Sequence, residues 1–221
     1  MMKKISIIHT MAKSGGTVVC KCLGPMDGVA MLSEIHPKGP YFVRGAFNEN
    51  MSYQFSPLVQ AAQWFGFGSL SDINKGIVFG GDNEFVGSIN QIVTYAEQQN
   101  KRIVIRDWSH IDVIGKPFCP PIREDSLGKL LKPHFEVDEC ALLRHPLKQW
   151  LSMQSRDAYK TTSLNEYLSG YLAYLKIYKD IPWVKYEEVV ENPNEMLGKF
   201  VSISVSNMSL LGKISGLHTQ P

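Results

Sequence analysis

Apolar residues recur along the chain in two rhythms. Short, near-continuous apolar runs predict strands at Lys4–His9, Val29–Glu34, Arg102–Asp107, Val137–Arg144 and Trp183–Tyr186. Strands buried on both faces read this way because neither face needs polar residues. Between them the spacing changes to the three-and-four step of a helix. Over Ser163–Lys179, Leu164, Leu168, Tyr171, Leu172 and Leu175 form one stripe, and Ser163 with Glu166 makes a capping box. Phe85, Ile89, Ile92, Val93 and Ala96 form another between Glu84 and Gln98. Asn192-Pro193-Asn194-Glu195 spells a helix start, with a cap residue, then proline first and glutamate third. Strands alternating with helices predict an α/β fold with a parallel sheet covered by helices.

One segment breaks the rhythm. Gly39–Asn83 is rich in glycine and aromatic residues (Tyr41, Phe42, Tyr53, Phe55, Trp64, Phe65, Phe67) and reads as either a substrate-covering insertion or packed loops. The length, 221 residues, fits one large domain or two small ones. A hydrophobic content of 44% and a charged content of 20% exclude a disordered chain. The formal charge of +2, without a basic stripe, argues against nucleic acid as a partner. No apolar run approaches the ~20 residues of a membrane span. The four cysteines (Cys20, Cys22, Cys119, Cys140) lack paired metal-site spacing and read as buried free thiols, from which a cytoplasmic location follows.

Two places carry anion chemistry. After the first strand, His9-Thr10-Met11-Ala12-Lys13-Ser14-Gly15-Gly16-Thr17 leads into a helical stretch. A strand, a glycine loop and a helix start together aim backbone N–H groups and a positive dipole end at one point, which suits a phosphate. Gly15 and Gly16 permit close approach, Thr17 offers a hydroxyl and Lys13 a mobile charge. It is not the G-x-x-x-x-G-K-[ST] pattern. At the tip of the fourth strand, Pro146 opens a helix that places Lys148, Ser152 and Arg156 on one face. Leu147, Trp150 and Leu151 are expected on the opposite face, against the core. Arg144 and Ser152 then converge on a second phosphate, unless that polar face is simply solvated.

Taken together, Lys-Ser-Gly-x-Thr after the first strand and Arg-x-Pro with a serine eight residues past the arginine resemble the sulfotransferase family. Those enzymes use 3′-phosphoadenosine 5′-phosphosulfate. Val184-Lys185-Tyr186-Glu187-Glu188-Val189 followed by Asn192-Pro193 is similar to that family's strand-ending Tyr-Glu-Asp segment. The resemblance implies a single three-layer domain over 1–221, related to P-loop kinases. It implies that Lys13, Ser14, Gly15, Gly16 and Thr17 hold the 5′-phosphosulfate. Arg144 and Ser152 would hold the 3′-phosphate, with Tyr186 near the adenosine. Gly16 stands where the family usually has serine or threonine. The family's Arg-Lys-Gly closing segment has only Gly212-Lys213 as a counterpart, so the C-terminus reads as short.

Sulfuryl transfer to a hydroxyl or amine needs charge stabilisation and a base. Lys13 fits the first role, placing an ammonium where negative charge develops. The base candidates are Glu34, His110 and His36, in that order, all at the sheet edge where parallel sheets bind ligands. Glu34 lies 21 residues beyond Lys13, as the resemblance requires of a catalytic glutamate. Arg106 and Asp107 read equally as substrate contacts or a local ion pair. No metal is called for. A P-loop kinase using ATP and magnesium is the alternative, weakened by the loop order and the lack of a clear strand-ending magnesium aspartate. A nucleotide-binding domain without catalysis is a third reading. The acceptor and the oligomeric state are not legible.

Overall fold

The computed structural model describes residues 2–39, 55–68, 81–193, 195 and 198. Five parallel strands form one sheet in the order β2-β3-β1-β4-β5. They are β1 (Lys4–His9), β2 (Val29–Ile35), β3 (Arg102–Asp107), β4 (Glu136–Leu143) and β5 (Trp183–Lys185). All five match expectation within one residue at each end. The helices are α1 (Gly16–Leu23), α2 (Pro57–Phe65), α3 (Asp82–Gln98), α4 (His110–Val113), α5 (Ser126–Leu131), α6 (Pro146–Gln154), α7 (Leu164–Ile177) and α8 (Tyr186–Glu191). The helix expected from Pro193 falls largely outside the described residues, as does Gly212-Lys213.

The sheet is covered on both faces. On one, Ile5, Ile7, Leu32, Ile103 and Ile105 pack with Ala61 of α2 and with Phe85, Ile89 and Ile92 of α3. On the other, Ile8, Val104 and Leu142 pack with Val19 and Leu23 of α1 and Val189 of α8. Alternate residues of each strand therefore face opposite helical layers, which is why the strands read as continuous apolar runs. Within 39–83, the described stretch 55–68 contributes Ala61 and Phe67 to the core. Ser163 caps α7, its hydroxyl accepting the Glu166 N–H at 3.3 Å while Glu166 accepts the Ser163 N–H at 2.9 Å.

Two expectations are corrected. Leu147 and Leu151 of α6 are 50% and 62% exposed, while Gln149 and Met153 face inward. The inner face of α6 meets the polar backbone of the β1–α1 loop, where Gln149 donates to the Ala12 carbonyl at 2.8 Å. A leucine would have left that carbonyl without a partner. Of the four free cysteines Cys140 alone is buried; Cys20, Cys22 and Cys119 are half-buried, lying at helix and loop margins rather than on a central strand. Among the described residues no helix is long and apolar enough to cross a membrane.

A buried polar network lies where β1, β3 and β4 adjoin. His9 Nδ1 is 2.8 Å from Asp107 Oδ2, and its Nε2 is 3.3 Å from Glu139 Oε1. Ser109 donates to Asp107 at 2.5 Å, and the Tyr178 ring stacks on His9 at 4.0 Å. Burial pushes the His9 imidazole toward its neutral form, but the hydrogen bonds to Asp107 and Glu139 outweigh this and raise its pKa to about 9. His9, Asp107 and Asp125 bring possible ligand atoms within 4.8 Å of one another, a grouping invisible in their spacing.

The native state therefore holds the His9 proton more tightly than the unfolded chain. That stability is fully present below pH 6.5, the ordinary histidine value, and is lost as pH rises through about 9. Urea unfolding of the wild type should show stability falling across this window, with His9→Gln lacking that part of the slope. Parallel pH slopes for the two proteins would refute the assignment.

Candidate functional site

β1 is the third of five strands, and the chain leaves it toward β2 on one side while β4 continues on the other. Ligands of open parallel sheets bind in the crevice that such a reversal opens at the strands' C-terminal ends. The loop from Thr10 to Gly15 sits there. Lys13 and Gly15 both have left-handed backbone, with φ of 62° and 102°, which tightens the turn. The Ser14 hydroxyl donates to the Met11 carbonyl at 2.8 Å and is 1% exposed, so it closes the loop rather than facing outward. The Gly16 and Thr17 N–H groups precede the first hydrogen bond of α1, which Val18 donates to the Gly15 carbonyl at 2.9 Å.

Three elements beyond the loop converge on it. Arg144, just past β4, donates from Nη1 to the Lys13 carbonyl at 2.8 Å. Its guanidinium lies 4.8 Å above the Tyr186 ring. Tyr186, the first residue of α8, covers Gly15 so closely that a Cβ there would overlap its ring. The Tyr171 hydroxyl of α7 donates to the Arg144 carbonyl at 2.9 Å, fixing the end of β4. Arg144 Nε is buried without a hydrogen-bond partner. Burial, then the field of Arg156 and that of Arg144, lower the Lys13 pKa, and Glu34 opposes them. Arg156, just beyond α6, thus belongs to the site's electrostatics.

Ser152 is not tied to this group by a hydrogen bond. It is half-buried on the last turn of α6, and no hydrogen bond joins its hydroxyl to Arg144. Lys13, Gly15, Gly16, Thr17, Arg144 and Tyr186 are brought together by the contacts above.

Glu34 is reached through an irregularity that the sequence concealed. The register of β2 against β3 shifts between Leu32 and Ile35, and Glu34 has φ 56°. The side-chain amide of Gln60 takes over the Ser33 backbone, accepting its N–H and donating to its carbonyl, each at 2.7 Å. This bulge re-aims the glutamate. Its carboxylate forms an ion pair with Arg106 Nη2 at 2.5 Å and stays 42% exposed. Arg106 is buried, donates from Nη1 to the Thr17 hydroxyl at 3.3 Å, and packs against Gly16.

The two histidine candidates differ from Glu34. His36 is buried, with Nδ1 accepting the Lys38 N–H at 3.1 Å and Nε2 at 3.1 Å from Asp112. His110 is fully buried, its Nε2 donating to the Lys116 carbonyl at 2.9 Å. Burial, offset in part by that hydrogen bond, lowers its pKa to about 4 and keeps it neutral near pH 7. Its ring meets Tyr159 edge-on at 5.1 Å. Burial and the field of Glu34, opposed by Arg106, push the Tyr159 phenol up to about 12. Neither Tyr159 nor the role of Arg106 was readable from spacing, because both depend on contacts far apart in sequence.

The site therefore combines a tight loop, a helix start and several cations at the edge of a doubly covered parallel sheet, an arrangement suited to a phosphorylated ligand. No protein-family model matches the chain, and no curated protein does. Among solved structures it is similar to a sulfotransferase from Alicyclobacillus acidocaldarius, at TM-score 0.52 and 11% identity. The match covers 100% of this chain and 88% of that one. At this identity the likeness speaks for the fold: a sulfotransferase-like α/β architecture.

The contact of Tyr186 with Gly15 gives a direct test. Gly15→Ala should cost about 1–2 kcal/mol for the left-handed backbone alone, before the collision with the ring. Tyr186→Ala in the same chain should relieve the collision but not the backbone cost. Unfolding free energies of the two single variants and the double variant measure this coupling. Simple additivity would show that the ring does not rest on the loop.

Proposed function

We propose that the protein transfers a sulfuryl group from 3′-phosphoadenosine 5′-phosphosulfate to a hydroxyl or amine acceptor. The observation that carries the reading is Arg144. Its guanidinium is tied to the Lys13 carbonyl and lies over Tyr186, yet its buried Nε has no partner. A buried charged donor left unpaired is costly unless a ligand completes it. Its place just past β4, one strand from the loop, supports a nucleotide phosphate distinct from the one the loop would hold.

In this reading the loop N–H groups of Gly15, Gly16 and Thr17 and the Thr17 hydroxyl hold the donor's 5′ end. Arg144 and Ser152 take the 3′-phosphate, and Tyr186 lies near the adenosine. The donor supplies an activated sulfuryl group. Lys13 places its ammonium where charge develops on the departing oxygen. Glu34 is the base: it is the most open of the candidates, and it shares an electrostatic environment with Lys13. His110, buried and neutral, shapes the wall that Tyr159 completes.

The kinase alternative gains one point and loses another. Asp107 ends β3 directly beside β1, a position from which magnesium could be held, contrary to the expectation that no strand-ending aspartate was clear. Its Oδ2, however, is engaged by His9 and Ser109, and the residue is fully buried.

Adenosine 3′,5′-bisphosphate should raise the melting temperature well above the effect of AMP or of ATP with magnesium. At ~100 times its dissociation constant the stabilisation should be about 2.7 kcal/mol. Equal shifts for bisphosphate and AMP would refute the 3′-phosphate site, and a dominant effect of ATP with magnesium would favour the kinase. Binding without turnover over a broad panel of acceptors would indicate a non-catalytic nucleotide-binding domain.

Once an acceptor is found, Glu34→Gln should lower turnover by ~10²–10⁴-fold with bisphosphate affinity retained, and His110→Asn should be milder. A near-normal Glu34→Gln beside an inactive, folded His110→Asn would transfer the role to the histidine.

A further inference from the structure

Arg106 is oddly placed for a purely structural residue. Its side chain is 6% exposed and projects from β3 beneath the first turn of α1, beside Gly16 and Thr17. A helix start carries a partial positive charge, so a cation buried there is electrostatically disfavoured. Glu34 offsets part of this, but its carboxylate is 42% exposed, so solvent weakens the compensation. Arg106 Nε, moreover, is buried without a hydrogen-bond partner.

The loop is also built around this side chain. A Cβ on Gly16 would lie 2.8 Å from Arg106 Nη1 and 2.9 Å from its Cδ, closer than a settled contact allows. Arg106 therefore occupies the space that any side chain at position 16 would need. Its Nη1 donates to the Thr17 hydroxyl, which leaves the hydroxyl's own proton free to point at a ligand.

We infer that Arg106 is an anion-binding residue of the β1–α1 loop, which with Thr17 recognises the 5′ end of the donor in place of a side chain at position 16. This rests on the proposed sulfuryl-transfer reading for the identity of the donor, though not for the presence of an anion. Arg106 and Arg144 then divide the ligand between them. The first reads the phosphosulfate end and the second the 3′-phosphate.

Calorimetric titration tests this with adenosine 3′,5′-bisphosphate, AMP and adenosine 3′-monophosphate. Arg106→Ala should weaken the first two by about 10- to 100-fold, as for a lost charged hydrogen bond, and leave the 3′-monophosphate unchanged. Adding Gly16→Ser to Arg106→Ala should recover part of the loss, because a hydroxyl then fits the vacated space. Gly16→Ser alone should impair binding. Equal weakening of all three ligands, or no weakening, would overturn the inference. Should Arg106→Ala fail to fold, as its melting curve would show, Arg106→Gln carries the same comparison. Inorganic pyrophosphate separates this inference from the functional reading. Stabilisation of the wild type by pyrophosphate, lost in the variant, supports the Arg106 site even if the bisphosphate binds no better than AMP. Pyrophosphate stabilisation that persists in the variant overturns it.

Discussion

The hydrogen bond from Arg144 to the Lys13 carbonyl is the contact on which the site's geometry depends. It joins the end of β4 to the turn after β1 and fixes the level at which the loop sits. Through the Arg144–Tyr186 stack it also reaches the β5–α8 junction, so three crossover connections meet at one point. The Tyr171 hydroxyl braces the arginine's own backbone from α7. Without this contact, the end of β4 would be separate from the loop that carries Lys13 and Gly15. A guanidinium suits the position because its several donors in a rigid plane can bond a carbonyl and still offer others.

Below the loop, protonated His9 holds β1, β3 and β4 together from inside the fold. The charge is tolerated because Asp107 and Glu139 both accept from it, and Tyr178 covers its face. A buried pair like this adds little net stability over a well-packed apolar cluster, but breaking one partner is expensive. Its consequence is rigidity directly beneath Thr10, whose hydroxyl is bonded to the Asp107 carbonyl at 2.9 Å. Such a floor would suit the anion-holding role proposed for the loop.

Glu34, Arg106, Thr17 and Gly16 form one coupled unit rather than four independent residues. The bulge in β2 points the glutamate at the arginine, and the arginine fills the space left by the glycine while orienting the threonine. The ion pair with Arg106 gives the Glu34 carboxylate a defined position. The Glu34 carboxylate nonetheless stays 42% exposed. Tyr159, whose ring meets His110 edge-on, feels the field of this pair.

What the sequence by itself determined was everything with short-range causes. The five strands were legible because burial on both faces demands continuous apolar runs. The start of α6 followed from Pro146, and that of α7 from Ser163 and Glu166, because caps act within one turn. The place of Lys13, Gly15, Gly16 and Thr17 at the turn from β1 into α1 was legible for the same reason. The inward face of α6 was misjudged, since Leu147 and Leu151 follow an apolar stripe while the neighbour they would need is the backbone of residue 12. The left-handed bulge at Glu34, the pairing of His9 with Asp107 and the fit of Arg106 against Gly16 were decided by tertiary structure alone. Each joins residues tens of positions apart, and no local pattern of hydrophobic and polar residues encodes which strand will lie beside which.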